Sequence, residues 1–128
     1  MTKEKKVLEK DIQRAICDWL HEQGYFFWRQ NNVPIFGRSN DGVKRFRAMP
    51  KYTPKGLPDI IVLHAGKFIG FEVKRAGMPL RDEQAEMGRL ITKNGGDYYV
   101  VTSWEEVRDL LTFKPIAIPL SEKTPPVL

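Results

Sequence analysis

Two apolar segments joined by a tight turn lie in the middle of the sequence, and they constrain the fold more than any other feature. The first covers residues 59–63 (DIIVL), the second covers residues 68–74 (FIGFEVK), and residues 65–67 (AGK) connect them. Apolar runs of this length, bounded by turn-forming residues, are typical of buried central strands. Because the connection is so short, we predict that the two strands are adjacent and antiparallel.

The segments on either side of this strand pair predict further elements. Apolar residues at the helical period, closed by Gly24, indicate a helix over residues 3–23. The other predicted elements are a strand over 25–29, a helix over 81–94, a strand over 98–101 and a short helix after residue 103. Ser103 and Glu106 have the spacing of a capping box at the start of that last helix. The order α-β-β-β-α-β-α predicts an α/β fold with a mixed central sheet flanked by helices.

Length and composition bound the domain organisation. The chain has 128 residues, of which 41% are hydrophobic and 29% are charged, and this suits one globular domain. We predict a single domain over residues 1–113, containing a basic flap at about 34–55, and a proline-rich C-terminal tail over 114–128. No apolar run approaches the roughly 20 residues of a membrane-spanning helix, and the charged start lacks the apolar region of a secretory signal. We therefore expect no membrane partner and a cytoplasmic location.

Basic side chains are concentrated in the flap. The chain has a net charge of +5, and the flap contains a single acid, Asp41. Phe46 and Tyr52 lie among the basic residues, a mixture that suits phosphate contacts with occasional base stacking. A solvated charged loop is the alternative that the sequence leaves open. Residues 35–37 and 44–47 could pair as a hairpin across 40–42. The candidate phosphate-binding residues are Arg38, Lys44, Arg45, Arg47, Lys51 and Lys55.

Charged residues also occur in the second central strand, where apolar residues are expected. Side chains alternate across a strand, so Glu72 and Lys74 point to one face and Val73 to the other. Asp59 opens the antiparallel neighbour and is therefore expected beside them. Burial of such groups without partners is costly, and two carboxylates suit a Mg²⁺ site beside which Lys74 stabilises developing negative charge. For Glu72 and Lys74 considered alone, an ion pair on an exposed strand is the alternative.

The first predicted helix offers one further acid to this cluster. At about 100° per residue, Glu9 lies beside Ile16 at one edge of the apolar stripe. Asp11 and Asp18 flank the other edge, so helical spacing alone does not choose among the three acids.

In this order, the motifs resemble the PD-(D/E)XK nuclease superfamily and, more narrowly, the VRR-NUC family of virus-type replication and repair nucleases. The resemblance covers residues 9–111. The motifs that carry it are the Glu9 helix, Trp28-Arg29, Lys55-Gly56-Leu57-Pro58-Asp59, Glu72-Val73-Lys74 and Gln84.

The resemblance implies a PD-(D/E)XK-like fold and a particular active site. Its implied ligands for Mg²⁺ or Mn²⁺ are Glu9, Asp59, Glu72 and the backbone carbonyl of Val73. Lys74 is implied as the catalytic lysine and Gln84 as an accessory active-site residue, and Glu9 is favoured over the two aspartates. The resemblance also implies a stand-alone, phage-like DNA endonuclease in a bacterial or phage-infected cell. Structured DNA in replication, repair or recombination is the implied substrate, with branched DNA and a homodimer as candidates.

Alternatives remain for the function and for single residues. A DNA-binding module of the same fold without activity, a restriction-type endonuclease and a basic RNA-binding protein are the competing functions. A surface position on its helix is the alternative for Gln84. We expect Trp19, Trp28 and Trp104 to pack in the core or along strands rather than to stack on bases.

Overall fold

The structure is a computed structural model that describes residues 6–30, 35–38, 44–47 and 51–112, and for 35–38 and 44–47 it describes the backbone alone. Its elements in chain order are α1 (Glu9–Glu22), β1 (Phe27–Arg29), β2 (Ile35–Arg38), β3 (Lys44–Arg47), β4 (Ile60–His64), β5 (Lys67–Val73), α2 (Asp82–Lys93), β6 (Asp97–Val101) and α3 (Trp104–Thr112). The predicted tail at 114–128 lies outside the described residues, and the division of the chain into a domain and a tail stays a prediction.

Four strands form the central sheet in the order β1-β4-β5-β6. β1 pairs with β4 and β4 with β5 in antiparallel fashion, whereas β5 and β6 are parallel. In the central pair, Ile60 lies opposite Phe71 and Ile61 lies opposite Gly70. The predicted antiparallel strand pair and the mixed α/β sheet with flanking helices are therefore confirmed.

β2 and β3 form a separate two-stranded antiparallel sheet, in which Arg38 pairs with Lys44 and Ile35 with Arg47. The predicted pairing of these two segments is confirmed. The structure therefore has two strands between β1 and β4 that the predicted order of elements does not include. The order omits them because both strands are only four residues long and carry little apolar periodicity.

The hydrophobic core lies on the face of the sheet that α1 and α3 cover. Ile16 and Leu20 of α1 and Val107 of α3 are fully buried against it. The sheet contributes alternate residues of β4, β5 and β6: Ile60, Val62, Ile69, Phe71, Val73 and Val101. Each large aliphatic or aromatic side chain buried in this way contributes roughly 1.5–3 kcal/mol, so this one layer provides most of the apolar stabilisation.

α1 begins at Glu9, six residues later than predicted. Leu8 has an extended backbone (φ −98°, ψ 150°) and forms the N-cap without a side-chain hydrogen bond. The predicted start at Lys3 lies outside the described residues, but residues 6–8 are not helical. Lys5 and Lys6 come just before the helix in the sequence, and its first turn contains the acids Glu9 and Asp11. Because acids are favoured and cations disfavoured at a helix N-terminus, the charge pattern supports the observed start.

The other element boundaries lie within two residues of the predicted ones. At the start of α3, the Ser103 hydroxyl accepts a hydrogen bond from the Glu106 N–H (3.3 Å), as predicted. The Glu106 carboxylate reaches one residue further back than a capping box requires and accepts the Thr102 N–H (3.0 Å) and hydroxyl. Only the Ser103 half of the predicted box is therefore present. Within the described part of the chain, no helix is long and apolar enough to span a membrane.

The opposite face of the sheet is shaped by close backbone approaches. A Cβ atom on Gly70 would lie 2.5 Å from Cγ of Pro58, which is fully buried. Gly56 has a positive φ (+77°), and a Cβ atom there would lie 2.5 Å from the carbonyl oxygen of Glu83 in α2. These contacts hold the segment before β4 between β5 and α2, and they determine where Asp59 lies.

We predict that Gly70→Ala destabilises the protein by about 1–3 kcal/mol, because the new methyl group must displace the Pro58 ring. Urea unfolding of the wild type, Gly70→Ala, Pro58→Ala and the double variant measures the coupling. The cost of Gly70→Ala should be smaller in the Pro58→Ala background, where Cγ is absent. Additive effects would show that this contact does not limit position 70.

Candidate active site

The register of β4 and β5 brings two carboxyl groups together. Asp59 precedes Ile60, which pairs with Phe71, so Asp59 lies opposite Glu72. The backbone N–H of Val73 donates a hydrogen bond to Oδ2 of Asp59 at 2.8 Å. This bond fixes the aspartate carboxylate at the end of the strand pair, facing the glutamate.

Gln84 connects α2 to the same pair. Its Nε2 donates to Oε1 of Glu72 at 2.8 Å, and its Oε1 accepts the backbone N–H of Arg81 at 2.9 Å. The Gln84 side chain is only 7% exposed. The alternative that Gln84 is a surface residue is therefore wrong, because its amide joins the first turn of the helix to the buried glutamate.

The second carboxylate oxygen of Glu72 has no such donor. Glu72 is 3% exposed, and its Oε2 is buried without a hydrogen-bond partner among the described residues. Burial, the neighbouring negative charge of Asp59 and a hydrogen bond that a protonated Glu72 donates to Asp59 raise the pKa of Glu72 to about 8; when both groups are ionised, neither can donate to the other. Burial also raises the pKa of Asp59, against the opposing effect of the Val73 hydrogen bond. The carboxyl groups of Asp59 and Glu72 are thus held close enough to repel each other when both are ionised, and a shared proton or a bound cation relieves this repulsion.

Lys74 follows β5 directly and is 6% exposed. Its backbone N–H donates to the Val101 carbonyl at 3.0 Å, which extends the pairing with β6. The Lys74 ammonium lowers the pKa of both Asp59 and Glu72. Among the described ion pairs, none joins Lys74 to either carboxylate. The lysine therefore lies near the carboxyl pair without a direct ion pair to it among the described residues.

Glu9 is the first residue of α1 and is half-buried. Its negative charge raises the pKa of both Asp59 and Glu72, so it lies near the pair, whereas Asp11 and Asp18 are exposed. Across the described residues, no three acidic, histidine or cysteine side chains are grouped tightly enough to hold a metal ion. The role of Glu9 as a third ligand stays a prediction.

The donor set of the carboxyl pair fits a hard divalent cation. Asp59 and Glu72 present oxygen atoms, the ligands that Mg²⁺ and Mn²⁺ accept. The unpartnered Oε2 of Glu72 is an oxygen that a cation would satisfy. The predicted fourth ligand, the carbonyl of Val73, belongs to the residue whose N–H binds Asp59. Its role is likewise a prediction.

The predicted phosphate-binding residues divide into two groups. Lys51 and Lys55 are exposed, and Lys51 lies 5.2 Å from the ring centroid of Tyr52, which is itself exposed. The side chains of Arg38, Lys44, Arg45 and Arg47 lie outside the described part of the structure. The phosphate-binding role of the flap therefore stays a prediction for all six residues.

Two aromatic residues near the site differ from the sequence-based expectations. Trp28 is exposed and lies outside the core, although its ring contacts Phe26, whereas Trp19 and Trp104 pack against the core as expected. Tyr98 was not predicted at all: its hydroxyl is buried and unpartnered among the described residues, and its pKa is raised by burial and by Glu72. Strand alternation carries the signal that identifies Tyr98, since it pairs with Gly70 and shares a face with Glu72.

Comparison of the backbone with solved structures identifies the fold. A solved structure described as a VRR_NUC domain matches with a TM-score of 0.55 over 80% of this chain and 92% of that chain, at 20% sequence identity. The chain has the VRR_NUC fold. The fold implied by the sequence resemblance is thereby confirmed. A scan against protein-family models and a search of curated proteins each found no match to the sequence.

We predict that the metal-free protein loses stability as the pH rises from about 4.5 to about 8. The folded state keeps a proton on Glu72 up to about pH 8, whereas the unfolded chain releases it near 4.5. Between these values the folded state binds more protons, so the free energy of unfolding falls with pH, by at most about 1.4 kcal/mol per unit. Urea unfolding in EDTA across this range measures the slope.

Glu72→Gln should flatten this pH dependence, while the exposed control Glu105→Gln should leave it intact. Stability that is constant or rises over the same interval in the wild type would contradict the raised pKa. Addition of Mg²⁺ should reduce the loss at pH 8, because a bound cation replaces the proton between the carboxylates.

Proposed function

We propose that this protein is a divalent-metal-dependent endonuclease that hydrolyses phosphodiester bonds in DNA. The observation that carries the proposal is the pair of buried, adjacent carboxyl groups, Asp59 and Glu72, with one oxygen unpartnered and Lys74 beside them. A structural protein has little reason to retain such a pair, because burial of unpaired charge is unfavourable. The VRR_NUC fold supports the same conclusion.

In this proposal, Mg²⁺ or Mn²⁺ is held by Asp59 and Glu72, with Glu9 and the Val73 carbonyl as further ligands. The chemistry supplied by such an ion is polarisation of the phosphate and neutralisation of its charge. The protein orients its own ligands: Val73 N–H fixes Asp59, and the amide of Gln84 fixes Glu72. Such supporting hydrogen bonds commonly determine how well a metal site works.

Lys74 has a separate role in the proposed reaction. Its ammonium lies near both carboxylates without an ion pair to either among the described residues. In that position it is available to stabilise the negative charge that develops on the phosphate as water attacks. Since it is nearly buried, this charge acts with little solvent screening.

The finer features of the function are also part of the proposal. Phosphates along the substrate contact the flap residues Arg38, Lys44, Arg45, Arg47, Lys51 and Lys55. The net charge of +5 supports attraction of a polyanion. The substrate is structured DNA, with branched DNA as a candidate, in replication, repair or recombination. We further propose that the enzyme is phage-like and cytoplasmic and that it works as a homodimer.

Cleavage should require a divalent ion and should stop in EDTA. Asp59→Asn and Glu72→Gln should each remove most activity with Mg²⁺ while the fold is kept, since both substitutions preserve size. The exposed acid Glu105 provides the matched control, and Glu105→Gln should cleave normally. Gel assays on linear, branched and single-stranded DNA, with circular dichroism of each variant, test this. Full activity in EDTA would refute the metal mechanism, and DNA binding without cleavage under any ion would favour an inactive binding module.

Lys74→Ala should lower the single-turnover rate roughly 100- to 1,000-fold with little change in DNA affinity, because it removes a donor that acts in the transition state. Lys74→Arg should restore part of the rate, since it keeps the charge but changes its shape. Lys93→Ala, an exposed lysine at the end of α2, is the control. If Lys74→Met is stable and cuts normally, Lys74 has no catalytic role. If lost activity follows the unfolded fraction, the lysine serves stability alone.

A further inference from the structure

Exposed apolar side chains lie on and beside β1, an edge strand of the four-stranded sheet. Phe26 is 66% exposed, Trp28 is 39% exposed and Leu63 is 43% exposed. We name the surface formed by these three residues, two of which are aromatic, the aromatic strip. Contiguous exposed apolar surface often marks a binding site, so the strip is a candidate binding surface.

The strip lies on the same face of the sheet as the carboxyl pair. Trp28 pairs with Ile61, and the Gln30 N–H donates to the Asp59 carbonyl at 2.7 Å. Because paired residues share a face and successive residues alternate, Trp28 and Phe26 point to the side of Asp59. Trp28 is one strand across and two residues along from Asp59, which places their backbones about 8 Å apart. A short run of nucleotides spans this separation.

The aromatic rings of the strip contact each other, and Trp28 also contacts Gln30. Trp28 Nε1 donates to the side-chain oxygen of Gln30 at 3.1 Å. The Phe26 and Trp28 rings meet edge to face, with centroids 6.0 Å apart and planes at 73°. Phe27, between them in sequence, packs against the core on the other face. A ligand that stacks on this surface therefore meets two rings that are already in contact, so less side-chain freedom is lost on binding than with isolated rings.

We propose that the aromatic strip stacks against unpaired bases of the DNA strand that flank the phosphate to be cleaved; the proposal rests on the nuclease function proposed above. Aromatic side chains bind exposed base faces whatever the sequence. A continuous duplex hides those faces and presents phosphates and base edges instead. The position beside the carboxyl pair and the positive net charge favour a nucleic acid as occupant over a protein. The preferred substrate therefore contains a single-stranded segment at the cleavage site.

The test uses the full chain carrying Asp59→Asn, in EDTA, so that binding is measured without cleavage. Fluorescence anisotropy compares a labelled oligothymidylate with a blunt duplex. Trp28→Leu should weaken oligothymidylate binding about 5- to 100-fold and leave duplex binding almost unchanged. Trp28→Phe should retain most of the affinity, since it keeps an aromatic face. Leu90→Ala removes an apolar side chain of α2 that is 44% exposed and should have no effect on either ligand.

Other results would overturn the proposal. Equal losses for oligothymidylate and duplex, or no loss for either, would exclude base stacking at Trp28. A change in oligomeric state in sedimentation, with unchanged DNA affinity, would assign the strip to contact with a second copy. If Trp28→Leu fails to fold, Phe26→Leu should weaken oligothymidylate binding, and normal binding by that variant would refute the proposal.

The outcome also separates this inference from the proposed function. If the wild type cleaves DNA and the Trp28→Leu and Phe26→Leu variants cleave it equally well, the proposed role of the aromatic strip is refuted and the nuclease function stands. Trp28-dependent binding of oligothymidylate by a protein that cleaves no DNA with Mg²⁺ or Mn²⁺ would refute the nuclease and leave the strip as a single-strand binding surface.

Discussion

The pairing of Ile60 with Phe71 is the constraint on which the candidate site depends. A shift of one residue between β4 and β5 would turn every side chain of the shifted strand to the opposite face. Ile60 and Phe71 are both fully buried against α1 and α3, so such a shift would expose apolar groups on one face and drive Asp59 into the core. The hydrophobic core therefore fixes the register, and the register places Asp59 opposite Glu72. Packing on one face of the sheet determines the chemistry available on the other.

The same face shows why the carboxyl pair tolerates an environment that opposes its charge. Glu72 is held by Gln84, Asp59 by the Val73 N–H, and the segment before Asp59 by the contact of Pro58 with Gly70. Each contact joins two different elements, so neither carboxylate can move away from the other without disturbing β5 or α2. The raised pKa of Glu72 is the electrostatic consequence of this rigid placement. Natural sites often retain such locally unfavourable groups where they are needed for function.

Much of this arrangement was predictable because it depends on local pattern. Apolar runs joined by a short turn predicted β4 and β5, and alternation placed Glu72 and Lys74 on one face. The start of α1 was predicted wrongly because periodicity does not detect where the backbone of Leu8 becomes extended. The close approaches at Gly56 and Gly70 depend on α2 and on Pro58, respectively, which are distant from these glycines in sequence. No local pattern reveals such contacts.

The exposure of Trp28 was unpredictable for a related reason, and it reveals how the site is arranged. A strand rich in aromatic residues is predicted from sequence to be buried, but its burial depends on whether a helix covers that part of the sheet face. α2 contacts β5 and β6 through Gln84 and Gly88, while the edge strand β1 leaves Trp28 and Phe26 open. Across the sheet, solvent exposure thus rises from the buried Glu72, through the half-buried Asp59, to the aromatic strip. The proposed hydrolysis needs both conditions close together: a dry side, where fixed charges act strongly, and an open side, where substrate and water enter. Both conditions are met at the carboxyl pair, because it lies where the part of the sheet covered by α2 ends.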